Sequence, residues 1–512
     1  MRDVVLFFEV HQPYRLDRRI HEKLIALALR GSLEPKHLED VVFDQGLNRL
    51  VFERAAAKCY LPASRIVLEN VRKFAGGDRG FAVSFGVSGV FIEQASRWVP
   101  GVVEVFQELV ATGYVEMVAQ TYYHSIAPLV PGLQELEEQV EEHVKLLREV
   151  FGVVPTAVEC TEFIYNNDIA CYLHSMGFKV ILTEGVDRVL GWRSPNFVYR
   201  SPSCGIRVLA RNYRLSDDVG FRFSYRSWDQ YPLTADKYAA WLAATPGDVI
   251  LVAMDYETFG EHHWPETGIH EFLRWLPGEV LRYDFLRFST PTRAAFDHPV
   301  VDVYDVPPWA TVSWADERDV SPWLGNPMQR NAFNLLLELR RYVEALEDPD
   351  LLRLWRLLTI SDHFYYMATK FGSFDEVHRY FSPYKNAVDA YTLFIQALSV
   401  LTYVVAEKVR ENPLKVARRL SVPAERGFHF RCSETGVPTL TATSVKELLW
   451  AVRTAPGECL AYHLARGDIQ RWLRDVLFLD ELAEEVDRVA KLEGDVEEKR
   501  ALLARALERY VG

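Results

Sequence analysis

An aspartate that ends an apolar run and opens a string of acids, histidines and aromatics is the strongest chemical signal in this chain. After Val249–Met254 the sequence reads Asp255-Tyr256-Glu257-Thr258-Phe259-Gly260-Glu261-His262-His263-Trp264, a string that core packing does not explain. Asp255 directly follows this apolar run, which puts it at a strand end, partly desolvated. Burial raises a carboxyl pKa, as a general acid near neutral pH requires. An aspartate capping the next helix or paired with an arginine fits the same spacing. A second acid, Glu162, follows the run Val154–Val158 within Glu159-Cys160-Thr161-Glu162. Two further apolar runs end in His11-Gln12-Pro13 and in Gln120-Thr121-Tyr122-Tyr123-His124.

If Glu162 and Asp255 meet, their separation decides the chemistry. Carboxyl groups about 5 Å apart suit a retaining double displacement at a sugar's anomeric carbon, whereas a wider gap admits a water and inversion. Glu257, two residues after Asp255, would bond the ligand or shape the acid's surroundings. His124 would stand in the site or just behind it. Asp362, on a helix after an apolar run, is an odd core residue and is expected in the cleft. Trp264 and Trp309 could stack on pyranose rings or fill a core. Glu261-His262-His263 suggests a metal, but adjacent histidines seldom face one ion and no HExxH or CxxC accompanies them; no metal or other cofactor is expected. The polar stretch Arg211–Asp218 either lines the cleft or forms a salt-bridged loop.

These residues need a scaffold that brings strand ends together. The runs Val4–Val10, Phe81–Phe85, Tyr114–Ala119, Val154–Val158, Lys179–Thr183, Arg207–Arg211, Asp248–Met254 and Phe285–Ser289 read as strands. Between them lie helical stretches such as Leu133–Val150, with apolar residues at spacings of three and four. That alternation predicts a parallel sheet flanked by helices, with the site at the carboxyl ends of the strands. Seven or eight strands in about 300 residues favour a barrel. Beyond Pro322 the helical stretches 328–346, 351–360 and 386–411 predict a bundle, interrupted at Phe371–Tyr384. The predicted domains are a catalytic barrel over 1–300, a helical bundle over 301–411 and a small appended domain over 412–512.

Composition narrows the partners. Hydrophobic residues are 49% of the 512 and aromatics 13%, enough for a large core. A formal net charge of -13 repels phosphate backbones, so nucleic acid is not an expected partner, while a neutral polysaccharide is not disfavoured. No run of about 18 apolar residues suggests a membrane span. The apolar start is short and broken by Glu9, unlike a signal peptide. Six cysteines without CxxC spacing read as buried free thiols, and a cytoplasmic location is expected.

Five segments resemble, in order, those of glycoside hydrolase family 57, in particular its archaeal α-amylase-like branch. His11-Gln12-Pro13 looks like the first. Ser88-Gly89-Val90-Phe91-Ile92-Glu93-Gln94 resembles the second. Thr161-Glu162-Phe163-Ile164-Tyr165-Asn166-Asn167 is similar to the third, Met254-Asp255-Tyr256-Glu257-Thr258-Phe259-Gly260-Glu261-His262 to the fourth, and Ser361-Asp362-His363-Phe364-Tyr365-Tyr366 to the fifth. The resemblance implies an incomplete (β/α)7 barrel with a helical bundle over the cleft. It further implies a retaining mechanism with Glu162 as nucleophile and Asp255 as acid/base. His11, Glu93, His124, Glu257, Trp264 and Asp362 would contact the substrate. The implied activity is α-amylase-like cleavage of α-1,4-glucans, with 4-α-glucanotransfer or glucan binding without catalysis as alternatives. Some members carry His-x-His-Gln-Pro, and here Glu9 takes the first position. Residues 412–512 fall outside the resemblance.

Overall fold

The computed structural model describes residues 1–30, 34–369 and 382–511. Ten strands in the first part of the chain share one sheet: β1 (Arg2–Val10), β2 (Val83–Val87), β3 (Val115–Val118), β4 (Ala157–Glu159), β5 (Val180–Glu184), β6 (Val198–Arg200), β7 (Arg207–Arg211), β8 (Val249–Asp255), β9 (Leu286–Ser289) and β10 (Val300–Val303). Parallel pairing runs β1–β2–β3 on one side and β4–β5–β7–β8 on the other, and β8 returns to β1. Two seams are thin. β3 meets β4 only through the Ala119–Val158 bridge, and β7 meets β8 at the single pair Arg211–Leu251. The result is the expected nearly closed parallel barrel with helices around it. β6 runs antiparallel to β7 and carries β10 on its other edge, and β9 pairs with the start of β1. β6 and β10 are too short to leave a periodic signal in the sequence.

Side chains alternate across each strand, and the two faces have different fates. Val4, Leu6, Phe8 and Val10 of β1, with Ile250, Val252 and Met254 of β8, join the core under the surrounding helices. Val5 and Phe7, with Val180, Leu182, Leu209, Val249, Leu251 and Ala253, form a second core enclosed by the strands. That inner series continues by the same two-residue step into Glu9, Glu159, Glu184, Arg211 and Asp255. The barrel interior is therefore apolar until its last layer, where it turns ionisable. Gly86 makes room in that layer: a Cβ there would stand 2.9 Å from the Phe7 ring and 3.0 Å from Glu9 Oε2.

The chain divides into two compact units, one of residues 1–20, 40–332 and 356–394, the other of 21–39, 333–355 and 395–512. The barrel and every expected site residue belong to the first. Helices Pro327–Leu346, Pro349–Leu357 and Ala387–Glu411 stand close to the expected ranges. Much of the predicted interruption at 371–384 lies outside the described residues. The second unit has its own apolar core, in which Phe428 and Phe430 of a two-stranded hairpin pack with Val445, Leu448, Trp472, Leu482, Val486 and Leu507 of the helices after Ser444. Helix Ala387–Glu411 is long and apolar enough to cross a membrane by composition, but half of its apolar window is buried within the protein, as in a core helix.

The cysteine expectation is corrected. Cys171 pairs with Cys204 and Cys432 with Cys459, and only Cys59 and Cys160 are free and buried. The partners are 33 and 27 residues apart in sequence, so folding rather than local spacing brings them together.

The loop leaving β8 depends on Gly260, whose φ is 139°. A Cβ there would collide with the Lys58 carbonyl oxygen and backbone. Gly260→Ala is expected to cost at least about 2 kcal/mol, read as a lowered melting temperature. An unchanged melting temperature would contradict the close approach.

Candidate active site

Glu162 sits on a single turn of 3-10 helix after β4, and its backbone is unusual. Glu162 (φ 62°) and Phe163 (φ 53°) are both left-handed, a conformation that costs a non-glycine residue on the order of 1–3 kcal/mol. Among the described residues seven non-glycines have positive φ; His124 and Arg318 are two of the others, so four of the seven surround this one site. The strained turn is braced. Trp314 N–H donates to the Glu162 carbonyl at 3.0 Å, Tyr165 pairs with Val312, and Thr183 Oγ1 donates to the Phe163 carbonyl.

Three groups orient the Glu162 carboxylate. The Trp314 indole N–H donates to Oε2 at 2.6 Å, and the Ser361 hydroxyl donates to Oε1 at 2.9 Å. His124 Nε2 lies 3.8 Å from the same Oε1. A carboxylate fixed on both oxygens is held in one orientation.

Asp255 ends β8, half-buried, in register with Glu9 on β1. Burial, and then the negative charges of Glu162 and Glu9, push its carboxyl up to about 7. It therefore carries a proton at and below neutrality and can give it up near neutrality. The two carboxyl groups interact through their charges and sit in one mouth of the barrel.

His11 and His124 stack face to face, centroids 4.1 Å apart. His11 Nδ1 meets the Ser88 hydroxyl at 2.8 Å, and Nε2 approaches Asp362 Oδ2 at 3.3 Å. Burial and the neighbouring His124 charge lower the His11 imidazole to about 4. Asp362 is held below the usual carboxylate range: burial opposes this, but the contact with His11 outweighs it. On its other side His124 Nδ1 lies 3.0 Å from Gln120 Oε1 and 3.4 Å from Glu9 Oε1.

The structure thus brings Glu162, Asp255, His11, His124 and Asp362 together, and three expected residues stand differently. Glu257 is buried behind the acid, taking a 2.5 Å hydrogen bond from Tyr60, and burial plus the Asp255 charge hold its carboxyl well above the usual range. Glu93 receives the Tyr122 hydroxyl at 2.6 Å and faces the Tyr14 hydroxyl at 3.4 Å. Trp264 is 55% exposed, with the Lys58 ammonium 4.8 Å over its ring. Of the acid–histidine string, Glu261 turns to Arg54, while His263 meets the Ser224 hydroxyl at 2.8 Å and donates Nε2–H toward the Val219 and Gly220 carbonyls.

Several positioning residues escape sequence reasoning. Trp314 lies in a loop with no strand pattern to mark it. Arg318 donates to Glu184 and to the Trp314 carbonyl, and Arg211 bonds Glu184, Asp217 and the Ala253 carbonyl. Arg211 thereby reinforces the thin β7–β8 seam two residues below Asp255. The alternation of charged residues at the ends of β5 and β7 is the only signal that could have marked this network.

A family model for glycosyl hydrolase family 57 matches residues 5–307. The sequence is 43% identical over 415 residues to a Methanocaldococcus jannaschii protein provisionally described as an alpha-amylase, a match spanning 79% of this chain and 85% of that one. The fold resembles a family 57 branching enzyme from Thermococcus kodakaraensis, with a TM-score of 0.55, 14% identity, and 80% of this chain and 94% of that one covered. It also resembles a 4-alpha-glucanotransferase from Thermococcus litoralis, with a TM-score of 0.53, 15% identity, and 84% of this chain but 61% of that one covered.

The state of Asp255 sets a pH dependence. An acid that must be protonated loses function as pH rises through its pKa, so kcat/KM should fall through about pH 7. A pH–rate profile with its alkaline limb well above neutrality would contradict that role. Trp314→Phe, which deletes the donor to Glu162 Oε2, should lower kcat on the order of tenfold to a hundredfold while leaving the melting temperature nearly unchanged.

Proposed function

We propose, because the chain belongs to glycosyl hydrolase family 57, that it acts on α-1,4-glucans by a retaining double displacement with Glu162 as nucleophile and Asp255 as acid/base. The observation that carries the reading is the unlike pair of carboxyl groups in one site. Glu162 is fixed by donors on both oxygens, while Asp255 is raised to about 7 and is held by its surroundings rather than by a cation. Two carboxyl groups with separated environments are what acid and nucleophile need.

In the first half-reaction a Glu162 oxygen attacks the anomeric carbon, the glycosidic C–O bond breaks, and the Asp255 proton goes to the departing oxygen. In the second, the Asp255 carboxylate takes a proton from an incoming hydroxyl, whose oxygen displaces Glu162 and restores its carboxylate. The incoming hydroxyl belongs to water in hydrolysis and to another glucan chain in transfer. Hydrolysis is favoured here by the description of the 43% identical relative as an alpha-amylase.

Mass spectrometry after reaction with a fluorinated α-glucoside tests the nucleophile. A glycosyl adduct on the peptide bearing Glu162 is expected, and an adduct elsewhere would overturn the assignment. Chromatography of maltotriose products separates the two acceptors: only shorter sugars mean hydrolysis, and longer oligomers mean transfer. If the wild type and Glu162→Gln bind glucan but are equally inert on starch, maltodextrin and aryl glycosides, the protein is a binding module.

A further inference from the structure

Beneath the Glu162 carboxylate lie two more carboxyl groups that the double displacement does not use. Glu9 ends the inner series of β1 and Glu159 that of β4, and both side chains are almost wholly buried. Glu9 Oε1 accepts from Gln120 Nε2 at 2.7 Å. Glu9 Oε2 and both oxygens of Glu159 are buried with no hydrogen-bond partner of the ordinary donor–acceptor kind. Three buried carboxyl oxygens left without a donor are costly. The two side chains lie within hydrogen-bonding reach of each other. Two acceptors bond only when one of them carries a proton.

We propose that Glu9 and Glu159 share a single proton in the floor of the site, and that the one negative charge left on the pair holds His124 as an imidazolium against Glu162. This rests on the reading of Glu162 as the nucleophile. Glu9, Glu159 and His124 are then positioning residues acting through Glu162.

The surrounding charges agree. Glu159 is held well above the usual range by burial and by the charge of Glu9, which makes it the proton's resting place. Glu9 is held below its ordinary value: burial opposes this, but the contact with His124 wins. Burial would likewise lower His124, yet its contacts with Glu162 and Glu9 raise it well above an ordinary imidazole. The other titratable groups near the device are His11, Asp362, Asp255, His143, Glu257 and Cys160, the last two held protonated by burial and by their acidic neighbours. His143 accepts the Gln120 N–H on Nδ1 and donates Nε2–H to the Val87 carbonyl, so it is neutral, and burial lowers it to about 4. His11 is neutral too, and its charge would oppose that of the stacked His124. His124 is thus the cation facing both Glu9 and Glu162. An imidazolium on the nucleophile stabilises the carboxylate released when the glycosyl-enzyme ester breaks, so its loss should fall on kcat.

The test uses the full-length enzyme and does not require turnover. Nitrogen-15 NMR of labelled histidine should show both His124 nitrogens protonated at neutral pH. Infrared difference spectra recorded above the Asp255 titration should show a protonated-carboxyl band that disappears in Glu159→Gln, whose amide still donates to Glu9, while His124 stays protonated. Glu9→Gln should leave His124 neutral at neutral pH and lower kcat about a hundredfold with a much smaller change in KM. A neutral His124 in the wild type, or a band indifferent to Glu159→Gln, would overturn the proposal. If Glu9→Gln does not fold, those two spectroscopic results decide alone. An enzyme inert on glucans would sink the functional reading without touching either of them.

Discussion

Crowding like charges into the mouth of an apolar barrel is the constraint on which the rest of the structure depends. Glu9, Glu159, Glu162, Glu184 and Asp255 all belong to the last inner layer or the turn just above it. Isolated buried carboxylates are intolerable, so each must gain a cation, a donor or a proton. Glu184 has Arg211 and Arg318 at 2.9 Å each. Glu162 has Trp314, Ser361 and His124. Asp255 has no such cation and is driven up to about 7 by burial and its neighbours. The same electrostatic pressure that makes this layer expensive to fold therefore leaves a carboxyl that exchanges its proton near neutrality.

The backbone around Glu162 is held against its own preference. Left-handed residues at His124, Glu162, Phe163 and Arg318 persist only because cross-links over-determine them. The loop bearing Trp314 is tied to Glu162 through both its backbone and its indole. Arg318 ties that loop to Glu184 in turn, so a carboxylate on β5 fixes an indole that fixes a carboxylate after β4. Such indirect bracing lets the 3-10 turn keep Glu162 at one angle.

Much of this was legible in the sequence, and the gaps have physical reasons. The central strands were readable because buried parallel strands give continuous apolar runs ended by polar residues: β7 falls on the predicted Arg207–Arg211, and the strand predicted over Asp248–Met254 forms one residue later, over Val249–Asp255. Three-residue β6 and four-residue β10 lack the length for any period. Site residues on strand ends were readable for the same reason, whereas Trp314 sits in a loop whose position comes only from tertiary bonds. Glu93 and Glu257 illustrate the opposite limit. Motif position marked them, but their tyrosine partners lie 29 and 197 residues away, so nothing local could reveal that each carboxyl is already engaged. The paired cysteines escaped notice in the same way.

If Asp255 serves as acid and then as base, as proposed, the charges acting on it differ in permanence in a way that suits both roles. Burial and the charge of Glu9 are present throughout the cycle. The charge of Glu162, the second cause of the upward shift after burial, vanishes when that carboxylate becomes an ester. With it goes part of the pressure to hold a proton, and Asp255 becomes readier to stay ionised when an incoming hydroxyl must be approached. Once the ester breaks, the returning Glu162 charge raises Asp255 again and favours retention of the proton it has just taken. On the proposed roles, Glu162 therefore resets Asp255. A cation bonded directly to Asp255 would damp the swing.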